Sequence, residues 1–141
     1  MGSYILLIKL LNEQLIKIGS LNTIRFPGGH YAYVGSAMRG FKSRLSHHLQ
    51  GSKKPHWHID YLLKKASISG ILLCETEERT ECTIAEALSQ QFGSIPAFGC
   101  SDCRCRSHLF FSAEEMEPTI VSTLKRLAKE RTGGWRIHET V

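Results

Sequence analysis

Four short segments rich in strand-forming residues fill the first 35 positions of the chain, and turn-forming residues separate them. The segments span residues 4–11, 15–19, 21–26 and 30–35. Because Asn12 and Glu13 leave only a short connection, we expect the second segment to pair back on the first and the third to extend this ribbon. The chain therefore begins as antiparallel β-structure.

Helical periodicity follows this region. Phe41, Leu45, His48 and Leu49 recur at helical spacing and predict an amphipathic helix over residues 41–50. Further helices are predicted over 57–65, over 81–91 behind a Thr80 cap, and from a Ser112/Glu115 capping box to about residue 131, with strands at 68–74 and 108–111. The pattern indicates one mixed α/β (α+β) domain without internal repeats or linkers.

The length and composition fit a single ordinary domain covering residues 1–141. Of the 141 residues, 42% are hydrophobic and 22% are charged, which is typical of soluble proteins and excludes a disordered, collagen-like or coiled-coil chain. No apolar run approaches the roughly 18 residues that span a bilayer. Because no secretory signal precedes Tyr4, we expect a cytoplasmic protein whose five cysteines are reduced thiols or metal ligands.

Basic residues are concentrated in the first half of the chain. Residues 1–66 hold ten Lys or Arg against two acidic residues, a net charge of +8, whereas residues 67–141 hold eight against eleven, a net charge of −3. This asymmetry is typical of a surface that binds a polyanion, nucleic acid first. The alternative is a solvated basic surface that binds nothing.

Two tyrosines and an arginine are candidates for chemistry on phosphate. Tyr31 and Tyr33 alternate along one predicted strand and so project from the same face, and the following helix carries Arg44 with His47 and His48 one turn later. A guanidinium stabilises charge on a phosphate and helps a phenol to exchange a proton. The alternative is that both tyrosines are core aromatics.

These residues belong to a longer ordered pattern. Gly2-x-Tyr4, Tyr33-Val34-Gly35, the helix with Arg44 and a later helix with Glu81 together resemble the GIY-YIG nuclease superfamily. The stretches at residues 31–37, 56–62 and 98–109, together with Glu81-Cys82, resemble one branch of it, found alone or fused to DNA glycosylases of the endonuclease III type. The resemblance implies a small antiparallel core sheet of three strands flanked by helices, to which an N-terminal β-ribbon has been added.

The resemblance also implies a catalytic set. Glu81 would hold one Mg²⁺ or Mn²⁺, Tyr33 or Tyr4 would act as the base, and Arg44 would steady the phosphate, with His48 beside it. Residues expected to contact the substrate are Tyr31, Gly35, Ser36, Arg39, Lys42, His56 and His58. A hard cation prefers carboxylate oxygen and keeps several waters, so one carboxylate can suffice.

Two features depart from the usual pattern of the superfamily. Residues 12–29 separate the two tyrosine motifs more widely than usual, and Glu86 lies on the same predicted helix as Glu81. Five residues correspond to about 140° around a helix, so both carboxylates cannot face one site. We prefer Glu81, because Ile84 and Leu88 define the buried face beside it.

Histidine and cysteine motifs suggest further sites. His56 and His58 flank Trp57 and either contact the substrate or bond locally to the backbone and Asp60. Cys100, Cys103, Cys105 and His108 offer four soft ligands, enough for a structural Zn²⁺, with Cys82 as a distant further member. The alternatives are reduced thiols or a disulfide.

The sequence therefore predicts a metal-dependent, structure-selective DNA endonuclease that acts in DNA repair or processing. DNA is favoured over RNA, a DNA-repair protein is a second candidate partner, and no membrane is expected. The alternatives are a non-catalytic module that binds nucleic acid or docks a repair protein, and a cysteine-centred zinc domain.

Overall fold

The computed structural model describes residues 1–50, 54–55, 57–100, 103–131 and 134–140. In chain order the elements are β1 (Gly2–Leu10), β2 (Gln14–Lys17), β3 (Thr23–Phe26), β4 (Gly29–Ser36), α1 (Phe41–Leu49), α2 (His58–Leu63), β5 (Ser67–Glu75), α3 (Glu81–Ser89), β6 (Gly93–Ser94), β7 (Leu109–Ser112), α4 (Glu117–Glu130) and β8 (Arg136–Thr140). No helix in these ranges has the length and apolar character needed to cross a bilayer.

The main sheet has six strands in the order β6-β7-β4-β1-β5-β8, and every pairing in it is antiparallel. Strands β2 and β3 form a separate two-stranded sheet, here called the ribbon. The predicted α+β class with an antiparallel sheet, flanking helices and an added ribbon is confirmed. The predicted count of three core strands is wrong.

The ribbon is detached from the main sheet because both edges of β1 are already occupied. Strand β4 pairs with β1 from Ser3 to Leu10, and β5 pairs with its other edge from Gly2 to Lys9. The prediction that residues 15–19 pair back on the first strand is therefore wrong. The ribbon instead packs its Ile16 and Phe26 side chains into a core on one face of the sheet.

Two hydrophobic cores lie on opposite faces of the sheet, because side chains alternate along β1. Tyr4, Leu6 and Ile8 face the core formed with the ribbon, α1 and α2. Ile5 and Leu7 face the core formed with α3 and α4. A central strand buried on both faces explains why the first segment reads as a continuous apolar run.

Two predicted helix caps are wrong. Thr80 precedes α3 as predicted, but its hydroxyl shares a 2.7 Å hydrogen bond with Ser3 Oγ and makes no cap contact. Ser112 Oγ accepts the backbone N–H of Glu114, and α4 begins only at Glu117. The Thr80 hydroxyl is thus engaged by β1, and the Ser112 hydroxyl by a local turn ahead of the helix.

Gly35 lies where the Tyr4 ring crosses β4. A Cβ at position 35 would overlap the Tyr4 ring, which is fully buried and bonded through its hydroxyl to His48. The absence of a side chain at position 35 therefore lets the tyrosine lie flat against the strand.

We expect Gly35→Ala to lower the free energy of unfolding by about 1–3 kcal/mol, because the buried ring cannot move away from the added methyl group. Urea denaturation measures the change. Gly93→Ala is the matched control, since a Cβ there meets no atom within 4 Å. Equal stability of the two variants would contradict this packing.

Candidate functional site

A groove of about 1020 Å³ opens at the end of the sheet where β1 begins and β4 ends. Ten of the residues singled out from the sequence line it: Tyr33, Gly35, Ser36, Arg39, Arg44, His58, Glu81, Cys82, Cys103 and His108. They come from β4, from the segment after it, from three helices and from the segment before β7. The fold thus gathers in one place residues that are up to 75 positions apart in the chain, from Tyr33 to His108.

Arg44 is held against an aromatic ring. Its guanidinium carbon lies 4.4 Å from the centre of the Trp57 ring, a cation–π distance. Trp57 is fixed in turn, because its backbone N–H donates a 2.8 Å hydrogen bond to Asp60 Oδ2 at the start of α2. The arginine therefore presents its charge to the groove from a rigid support.

Tyr4 and His48 lie directly behind the groove rather than in its lining. The Tyr4 hydroxyl and His48 Nε2 are 2.6 Å apart, and both side chains are buried. His48 Nδ1 lies 4.0 Å from Asp60 Oδ1. A carboxylate on that side favours the tautomer protonated at Nδ1, in which Nε2 accepts the hydrogen bond from the Tyr4 hydroxyl.

The two tyrosines hold their protons firmly. Their ring centres are 6.4 Å apart. Burial raises the pKa of Tyr4 and of Tyr33 above the ordinary value for tyrosine, and the nearby Arg44 guanidinium opposes this only in part. A further positive charge beside the hydroxyl would be needed before either phenol lost its proton near neutral pH.

Glu81 faces the groove, whereas Glu86 on the same helix is exposed away from it. Glu81 Oε1 lies 3.8 Å from an Arg79 guanidinium nitrogen. Glu81 Oε2 is buried and has no hydrogen-bond partner among the described residues. The preference for Glu81 over Glu86 agrees with this placement, and Glu81 retains an unused acceptor inside the site.

Beside Glu81 lies a group able to hold a metal ion, here called the Cys/His cluster. It consists of Cys82, Cys103, Cys105 and His108, whose ligand atoms all lie within 4.8 Å of one another. Cys100 was predicted as a ligand, but Cys82 occupies that place. The Cys100 thiol instead donates to the Phe98 carbonyl.

A hydrogen bond to β4 orients His108 as a metal ligand would be oriented. Its Nδ1 donates to the Val34 carbonyl at 3.1 Å, which leaves Nε2 directed at the cluster. Nε2 lies 3.4 Å from Cys103 Sγ and 3.9 Å from Cys82 Sγ. Burial raises the pKa of the Cys82 and Cys105 thiols, so a metal ion would displace protons on binding.

Two of the residues predicted to contact the substrate do not line the groove. Tyr31 is buried and donates its hydroxyl to the Pro27 carbonyl at 2.6 Å, so its predicted role is wrong. Lys42 is exposed on α1 and does not line the groove. His56 lies outside the described residues.

Sequence reasoning did not single out several residues that form the groove. Arg79 and Tyr61 line it, as do Gly19 and Ser20 from the turn of the ribbon. Only Arg79 had a usable signal, since it lies two residues before Glu81. Among the described lining residues, three arginines (Arg39, Arg44 and Arg79) face one carboxylate, so the groove favours an anionic ligand.

The fold and the site define an α+β domain with a positively charged groove and a cysteine–histidine group that can hold a metal ion. Residues 3–129 match DUF123, a domain of unknown function, and the chain therefore belongs to this family. Comparison with curated proteins and with solved structures finds no match.

His58 gives a pH-dependent test of the groove. Its Nδ1 accepts the Gly99 N–H at 2.9 Å, and burial lowers its pKa below the ordinary 6.5. The unfolded chain therefore takes up more protons than the folded one as the pH falls from above 6.5 through the lowered pKa, so stability falls over that window.

We expect His58→Asn, which keeps an acceptor for Gly99 but does not titrate, to lose less stability than the wild type between pH 7.5 and 5.5. Urea midpoints at both pH values measure this. Parallel losses in the two proteins would show that His58 does not couple the groove to pH.

Proposed function

We propose that the chain is a metal-dependent endonuclease that hydrolyses phosphodiester bonds in DNA at branched, nicked or damaged sites. The observation that carries the proposal is the convergence of Tyr33, Arg44 and Glu81 on one groove. They come from different elements, and they are the residues on which the resemblance to GIY-YIG nucleases rests. The arrangement supplies a proton-exchanging group, a phosphate-binding cation and a carboxylate for a metal.

Glu81 suits the role of ligand for Mg²⁺ or Mn²⁺. Its buried Oε2 atom has no partner among the described residues, and its location in an open groove leaves room for water ligands. A hard divalent cation at this carboxylate would stabilise the negative charge that develops on the phosphate.

Arg44 and Tyr33 would carry out the other two roles, phosphate binding and proton transfer. Arg44, supported on Trp57, orients the phosphate and neutralises part of its charge. Tyr33 keeps its proton in the resting site because burial raises its pKa. It becomes a base only when positive charge gathers beside its hydroxyl, which restricts proton removal to the loaded groove.

The charge distribution supports nucleic acid as the partner. Three groove arginines face one carboxylate, and Arg39 and Arg44 belong to the basic first half of the chain. These cations provide affinity for the phosphate backbone without reading sequence. Contacts to phosphate carry no sequence information directly, so we expect shape to select the substrate. We propose a cytoplasmic role in DNA repair, with a repair protein as a candidate partner.

We propose zinc as the metal of the Cys/His cluster. Three thiolates and one imidazole are soft ligands that select Zn²⁺ over Mg²⁺ or Ca²⁺. This assignment keeps the two metals of the site distinct, since Glu81 offers only oxygen.

A second candidate function is a non-catalytic DNA-binding module. The firmly protonated phenols of Tyr4 and Tyr33 favour it, because neither is a base in the unliganded protein. In that case the same arginines would bind DNA, and no divalent cation would be required.

We expect Glu81→Gln to reduce single-turnover cleavage of a branched duplex by on the order of 10²–10³, because the amide cannot hold a hard cation as a carboxylate does. DNA binding should survive. Glu86→Gln is the matched control on the exposed face of α3, and circular dichroism checks folding. A folded Glu81→Gln protein that cuts at the wild-type rate would favour the binding module.

Arg44→Ala should fail in a different way. We expect cleavage to fall by on the order of 10²–10³ and the salt dependence of DNA binding to weaken by about one phosphate contact. Fluorescence anisotropy at several salt concentrations measures the slope. Arg126→Ala, which removes an exposed arginine of α4 paired with Glu130, is the control. An unchanged slope for Arg44→Ala would remove Arg44 from the DNA-binding surface.

A further inference from the structure

We infer that a zinc ion in the Cys/His cluster ties the two walls of the groove together and thereby sets the affinity of Glu81 for its divalent cation. The inference rests on the proposed function for the role of Glu81, but the zinc site itself does not. The zinc would be a structural ion that controls whether the catalytic metal can bind.

The four ligands join parts of the fold that are far apart in sequence. Cys82 lies in the first turn of α3, Cys103 and Cys105 lie in the segment before β7, and His108 immediately precedes that strand. Among the described residues, polar contacts between α3 and this segment run through Cys82, which lies 3.9 Å from His108 Nε2 and also contacts Cys103 and Cys105. A metal at this point would replace a weak sulfur contact with strong bonds.

The metal-free geometry is close to that of a tetrahedral site. Zn–S bonds of about 2.3 Å and Zn–N bonds of about 2.0–2.1 Å place tetrahedral ligand atoms roughly 3.5–3.8 Å apart. The measured separations of His108 Nε2 from Cys103 Sγ and Cys82 Sγ are 3.4 and 3.9 Å. The other separations are at most 4.8 Å, so side-chain movements of roughly 1 Å would bring all four atoms to tetrahedral distance.

The outer contact of His108 is also typical of a metal ligand. Histidines that bind metals usually donate their other ring N–H to a carbonyl or carboxylate, which fixes the ring. Here His108 Nδ1 donates to the carbonyl of Val34. Because Val34 lies between Tyr33 and Gly35 on β4, the ion would be connected to the wall that carries the tyrosine.

The other wall is connected through the peptide bond between Glu81 and Cys82. A metal bond at Cys82 would hold the first turn of α3 and so restrict the position of the Glu81 backbone. Loss of a group that orients a metal ligand typically lowers metal affinity 10–100-fold. We expect the same range for Glu81 when the zinc is removed.

The first experiment identifies the ligands. Zinc content of the purified chain is measured for the wild type, Cys82→Ser, Cys105→Ser and the matched control Cys100→Ser, whose thiol adjoins Cys103 but is not one of the four ligands. We expect about one equivalent in the wild type and in Cys100→Ser, and a clear loss in the other two. Zinc-free wild type, or loss in Cys100→Ser with retention in Cys82→Ser, would overturn the assignment.

The second experiment tests whether the zinc ion controls the affinity of Glu81 for a divalent cation. Mn²⁺ binding is followed by electron paramagnetic resonance in zinc-loaded wild type, in Cys105→Ser and in Cys105→His, which restores a zinc ligand. Cys105 is chosen because it does not line the groove. We expect Mn²⁺ affinity to fall at least tenfold in Cys105→Ser and to recover in Cys105→His. If Cys105→Ser does not fold, Mn²⁺ affinity is compared instead between wild-type protein stripped of zinc and the same protein reloaded with zinc.

The outcomes separate this inference from the proposed function. Equal Mn²⁺ affinity with and without zinc would overturn the inferred control by zinc. It would not contradict the proposed endonuclease function. If zinc-loaded wild type binds no Mn²⁺ at Glu81, both the proposed cation site and its control by zinc are overturned. The zinc site itself would not be affected by that result.

Discussion

The double pairing of β1 is the constraint on which the rest of the structure depends. Strands β4 and β5 occupy its two edges, and hydrophobic cores cover its two faces. Its first residues are held most tightly, since the Ala37 N–H donates to the Gly2 carbonyl at 2.7 Å and Ser3 bonds Thr80. These two contacts place the approach to α1 and the start of α3 at the same end of the sheet, which is where the groove opens.

The groove combines an arginine held against an aromatic ring with the carboxylate of Glu81. Stacking on Trp57 limits the freedom of Arg44, and the bond between Tyr4 and His48 fills the space behind it. The described lining provides few negative charges to compete with an anionic ligand. Such an arrangement favours the binding of an anionic ligand.

Much of this arrangement was predictable because it depends on local sequence. Periodicity placed α1 and α3, and the alternation of Tyr33 with its neighbours placed it on one face of β4. The order of strands was not predictable in the same way, because pairing between distant segments depends on which edges remain available. Strand β6 has two residues and carries no pattern that could be recognised.

The metal cluster shows the same division between local and distant information. Spacing indicated Cys103, Cys105 and His108 as a group, but it also favoured Cys100, which is nearer in sequence than Cys82. The fold brings α3 against the segment before β7, and this contact selects Cys82. Likewise Tyr31 shares a face with Tyr33, yet its position two residues earlier in β4 places its hydroxyl at Pro27 instead of in the groove.

The central claim is that the groove holds a divalent cation at Glu81 beside Tyr33 and Arg44. Paramagnetic broadening of backbone amide signals by substoichiometric Mn²⁺ tests it most directly. We expect the signals of Glu81, Cys82 and Tyr33 to broaden first, while those of Lys9 and Ser67, which pair at the other end of β1, stay sharp. Broadening centred on the exposed carboxylates at residues 114 and 115, with Glu81 unaffected, would contradict the account.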